Sequence, residues 1–248
     1  MGEERAVAMA ALAEQDRLEG KLDSARERAD AALALFEARE NPRGITEMKL
    51  LLTSIAIHRR DIDSASKLLA DLGADLGNVE QRAMWHVRSA QTLLLKGDRA
   101  GARDHAGQAI TLANESHTAQ VKVEAELELA MASPRQEGLD LLAQAEADLA
   151  GFASVPLQIR LYSVSQALNR DSCANDHQLG QAILAKLPGF VGALAFHEAA
   201  SDCNHLESAQ RQRAGQQAGE ALQRLIDGAA ESDRTFLVAY QKLKTTTP

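Results

Sequence analysis

Three short segments of this chain repeat one pattern. Gly20-Lys21-Leu22-Asp23-Ser24-Ala25 returns in form as Arg60-Asp61-Ile62-Asp63-Ser64-Ala65, and again as Lys96-Gly97-Asp98-Arg99-Ala100-Gly101-Ala102. Each segment lies between two stretches whose apolar residues recur at helical spacing. Ala25 and Ala65 are 40 residues apart and Ala65 and Ala102 are 37, which is the length of a helix-turn-helix repeat. A Gly or Asp at the turn lets the backbone reverse, and the small Ala lets the second helix press against the first, where a larger side chain would wedge the pair apart. The recurrence therefore predicts helix pairs stacked in sequence, each supported by its neighbours.

The rest of the chain extends the pattern with weaker punctuation. A fourth pair reads as 119–131 and 137–149, with Ser133-Pro134 at the turn. A fifth opens at Ser154-Val155-Pro156, runs to about Asn169, and resumes from about His177 to the Pro188-Gly189 breaker. A sixth spans about Phe190–Ser201 and Leu206–Ile226, with Gly228 as the stop. Ser232-Asp233 then caps a last helix, whose Phe236, Leu237, Tyr240 and Leu243 would cover the end of the stack. Aromatics are only 3% of the chain, which removes a residue class that strands favour, so almost no sheet is expected. The reading is one all-α domain over 1–248: a right-handed α-α superhelix of about six repeats with a C-terminal capping helix.

The turns resemble the Gly-Asp-x-x-x-Ala signature of the tetratricopeptide repeat family. Leu12-Ala13 and Ala32 resemble its packing positions in the first unit, Leu52 in the second, and Ala90 and Ala109 in the third. Thr53, Leu72 and Ser89 depart from the pattern, and Trp85 is the only tryptophan. The resemblance is clearest over 5–150 and weaker over 151–248. It implies a non-catalytic module that binds a protein or peptide on its concave surface, which the first helix of each pair lines. By register with the turns, the lining candidates are Glu14, Arg17, Glu47, Ser54, His58, Arg88 and Gln91, with Trp85 either anchoring a partner or packing between the second and third pairs. The ending Arg234-Thr235-Phe236-Leu237 is similar to the close of helical-repeat regions in large bacterial regulators, which implies a scaffold or sensory arm.

Other function classes find little support. The net charge of −8 is interspersed along the chain with no basic stripe, which disfavours nucleic acid and points to a basic partner. No apolar stretch approaches the ~18 residues of a membrane span, and cytoplasm is the default address. No phosphate loop, dinucleotide fingerprint or nucleophile elbow occurs, so no enzyme activity and no cofactor are expected. The repeat ends offer a route to homo-oligomers. A rival reading places an all-helical enzyme or metal pocket in the second half, on Cys173, His177, His197, Cys203 and His205. The simpler view of these residues is two buried, reduced thiols and surface histidines, with no metal bound.

Overall fold

The structure, a computed structural model, describes residues 2–73, 76–169, 171–187 and 189–227. Among them are twelve α-helices and no strand. They are α1 (Gly2–Leu18), α2 (Leu22–Glu37), α3 (Pro42–His58), α4 (Ile62–Leu72), α5 (Val79–Lys96), α6 (Arg99–Glu115), α7 (Ala119–Ala132), α8 (Arg135–Leu149), α9 (Val155–Leu168), α10 (Cys173–Leu184), α11 (Ala193–Ser201) and α12 (Ser208–Asp227). The expected C-terminal cap from Ser232, and the Arg234–Leu237 motif within it, lie outside the described residues.

One turn geometry explains why the repeat reads so clearly at first. The amide after the turn bonds back five residues in Lys21→Asp16, Asn41→Phe36, Asp61→Ala56, Asp98→Leu93 and Thr118→Ala113, at 2.8–3.0 Å. This bond needs a left-handed residue just before it. Gly20 and Gly97 supply that conformation at φ +74° and +81°, whereas Glu40, Arg60 and His117 adopt it at φ 52°, 60° and 54° despite their side chains. The next residue caps the following helix: Asn41 accepts from Gly44 N, Asp61 from Ser64 N and Asp98 from Gly101 N. Four residues after Lys21, Asp61 and Asp98 come Ala25, Ala65 and Ala102, each 0% exposed against the preceding helix. On α6 the small residues continue as a stripe, Ala102, Ala106, Ala109 and Ala113, so α5 and α6 pack closely. Ala13, Ala32 and Ala90 are buried as the family pattern implies, but Leu12 is an exposed large apolar residue.

Every helix packs on the next in sequence. The odd-numbered helices also make a second set of contacts, α1 with α3, α3 with α5, and so on to α9 with α11. Squeezed between outer helices and odd-numbered neighbours, α3 and α7 bury residues on nearly all sides. The outer α4 and α12 instead carry one apolar stripe.

The array closes on itself. Val191 N donates to Leu18 O at 3.1 Å, and a Cβ on Gly20 would stand 2.6 Å from Gly189 O. Arg60, after α3, pairs with Glu198 of α11 at 3.4 Å. Among the described residues the largest apolar cluster joins the first and last hairpins, with Ala13, Leu22 and Ala25 alongside Val191, Phe196, Leu222 and Leu225.

Because a left-handed side-chain residue costs about 1–2 kcal/mol and glycine's extra unfolded freedom offsets some of the gain, Glu40→Gly and His117→Gly should each stabilise the fold by roughly 0.5–1 kcal/mol. Equilibrium urea unfolding checks this, and a loss of stability in both variants would contradict the turn assignment.

Candidate binding cavity

The odd-numbered helices surround one concavity of about 960 Å³. All seven residues placed by register line it: Glu14 and Arg17 from α1, Glu47, Ser54 and His58 from α3, and Arg88 and Gln91 from α5. Trp85 is not among the lining residues. Its indole N–H donates to Leu69 O on α4 at 3.0 Å, and its ring packs against His86 and His105. Met84, about 100° away round the same helix, faces the cavity in its place.

Charged side chains bridge the cavity wall. Arg17 presents a two-pronged fork to Glu14, Nε to Oε2 at 2.8 Å and Nη2 to Oε1 at 2.5 Å, while its Nη1 lies 3.0 Å from His58 Nε2. An arginine can only donate, so His58 accepts at Nε2 and carries its proton on Nδ1. Arg88 donates to Glu124 of α7 and to Gln91 Oε1. The Gln91 amide donates to Glu124 and Glu128, at 3.1 Å each. Glu128, fully buried, also takes a fork from Arg160 of α9, with Nη2 at 2.8 Å from Oε2. Glu47 sits further out, in an exposed pair with Arg43.

These pairings set the protonation states. Burial, together with Arg17, Arg88, Arg60 and Arg160, holds the His58 imidazole well below its ordinary value. Burial alone would push Glu124 up, but Arg88, Gln91 and Arg17 outweigh it and keep the carboxyl below the usual range. Glu124 is therefore ionised and His58 neutral at physiological pH. Register with the first three turns stopped short of Arg60, Glu124, Glu128, Arg160 and Glu198. Their available signal was the presence of charged residues inside the most apolar helices, above all Glu124 and Glu128 one helical turn apart in α7.

The second-half cluster differs from its sequence reading. Cys173 and Cys203 are not reduced thiols: they form a disulfide, with Cα atoms 5.9 Å apart, linking the start of α10 to the loop after α11. Spacing of 30 residues gave no hint of this, because only folding brings the two together. His177 and His197 are not surface residues either. Both are buried, His177 stacked on Phe196 and His197 edge-on to it, and burial lowers both, His197 to about 4. His205 pairs at 3.4 Å with Asp171. Among the described residues no group of three or more His, Cys, Asp or Glu is arranged to hold a metal ion, and no helix is long and apolar enough to cross a membrane. Comparison with known proteins finds no match, either to a protein-family model or to a curated protein.

Two outcomes follow from this geometry. Reducing the disulfide, or replacing Cys173 and Cys203 by Ala, should cost about 3 kcal/mol, which urea unfolding with and without reductant measures. His58 is depressed from its ordinary 6.5, so its stabilising contribution is complete above that pH and is lost as pH falls toward the folded value. His58→Gln should accordingly lose less stability than the parent between pH 7 and 5, and an NMR titration of His58 with a midpoint at or above 6.5 would contradict the assignment.

Proposed function

We propose that this chain is a tetratricopeptide-like, right-handed α-α superhelix drawn into a closed turn, and that it is a non-catalytic module gripping an extended peptide segment of a partner protein in its central cavity. The observation that carries this reading is the convergence of polar side chains from α1, α3, α5, α7, α9 and α11 on one concavity. A solenoid reads its partner with the inner helix of each pair, and here the inner helices are the lining helices. The volume of about 960 Å³ falls at the upper end of the roughly 300–1,000 Å³ of ligand pockets. That suits a short extended segment and is too small for a folded domain. Apolar side chains such as Met48, Leu51, Leu94 and Leu157 lie between the charged groups, the mixture that alternating peptide side chains need.

The cavity's carboxylates and guanidinium groups hold one another, which supports binding rather than acid-base catalysis. A role as scaffold or sensory arm of a regulator follows the resemblance of the repeats. The disulfide supports an oxidising compartment over the cytoplasmic address expected from sequence, because such bonds persist where thiols are not kept reduced.

Display selection from a random peptide library tests the proposal. Selected peptides should bind the parent and lose affinity by about tenfold or more in an Arg17→Gln/His58→Gln/Arg88→Gln variant that retains its helical circular dichroism, since each lost charge-assisted hydrogen bond is worth roughly 1.5–3 kcal/mol. Unchanged affinity in that variant would reject the cavity as the binding site.

A further inference from the structure

Resting on the peptide-binding reading, we infer that the cavity selects a segment bearing an acidic side chain, and that Glu14 is the chain's own stand-in for the ligand's carboxylate. Arg17, Arg60, Arg88 and Arg160 come from separate regions of the chain and all line the cavity together with His58. Each is matched by a glutamate, but the four glutamates are not equivalent. Glu128 is 0% exposed and joins α7 to α9 and α5. Glu124 is 16% exposed and joins α7 to α5. Glu198 is 16% exposed and joins α11 to Arg60. Displacing any of these would separate neighbouring elements of the wall.

Glu14 differs on both counts. It pairs only three residues away on its own helix, and it is 46% exposed while Arg17 is 13% exposed. Arg17 is also fixed from the other side by His58. When Glu14 swings out, the Arg17 fork stays in place and no contact between helices is lost. An incoming carboxylate can then take the same two N–H donors, Nε and Nη2, in the same bidentate geometry and leave the local charge unchanged. A basic side chain has no such exchange open to it. Glu14 already has both oxygens engaged, and drawing it to a cation would leave the Arg17 fork without its acceptor. Interior pairing thus reverses the preference for a basic partner that the net charge suggests.

The probes are hexapeptides blocked at both ends, alternating leucine with glutamate, glutamine or lysine, together with free glutarate, titrated calorimetrically into the parent, Glu14→Gln and Arg17→Gln. The glutamate peptide should bind the parent most tightly, and Glu14→Gln should tighten it by about tenfold, the scale of one charge-assisted hydrogen bond, without tightening the glutamine peptide. Arg17→Gln should erase the distinction between glutamate and glutamine peptides, with circular dichroism confirming the fold. A preference for the lysine peptide, or a Glu14→Gln variant that binds the glutamate peptide no better than the parent, overturns this inference while leaving peptide binding standing. Glutarate binding as tightly as the glutamate peptide overturns the choice of a peptide as the carboxylate's source. Binding of no peptide by any form overturns the peptide reading and this inference with it.

Discussion

The fold depends on how closely the second helix of a hairpin can approach the first. Ala25, Ala65 and Ala102 occupy the first turn of the second helix in three hairpins, fully buried, and each follows a helix stop of the same hydrogen-bonded form. A larger side chain there would push the hairpin open, and the angle between successive hairpins would change with it. Overpacking a tight interior costs typically 1–3 kcal/mol, and a steric fault here would also be passed to the helices packed on either side. Small residues at the turns therefore set both local stability and the curvature that brings α11 back to the α1–α2 turn.

Curvature creates the cavity, and the cavity dictates what lines it. Charges on an enclosed wall lose water and persist only when paired and hydrogen-bonded. The arginines and glutamates of the inner helices obey this by bonding across helix boundaries: Arg88 to Glu124 between α5 and α7, Glu128 to Arg160 between α7 and α9, Arg60 to Glu198 between the first half and α11. Such pairs add little net stability over apolar replacements. Their directional geometry can instead fix which helix faces which, and Gln91, touching Arg88, Glu124 and Glu128, ties two of these contacts into one network.

Helices and their boundaries were legible because local chemistry encodes them. The all-helical class, the pairs through 119–149 and even the Ser154-Pro156 start correspond to elements of the structure. Register with the turns was enough to place Glu14, Arg17, His58, Arg88 and Gln91 on the cavity. Trp85 follows the second of its two readings and packs between the second and third pairs, because neighbouring positions on a helix point in different directions and size alone does not choose between them. Glu124, Arg160 and Glu198 were hidden for another reason: they sit in hairpins without the left-handed stop that supplied the register. The disulfide was hidden because pairing depends on proximity in space and not on spacing in sequence.

The half of the chain where the repeat signal fades completes the wall of the cavity with residues of α9 and α11. An array built only of the first three units would present α1, α3 and α5 to solvent along one face. The fifth and sixth pairs have short helices, α10 and α11, and the Cys173–Cys203 bond reinforces their join from within a small apolar cluster of Ala200, Leu206 and Ala214. On the inner side of this join α11 offers Glu198 to Arg60, and Val191, just before it, binds the Leu18 carbonyl. The charged residues of the cavity wall are carried by the helices that surround it.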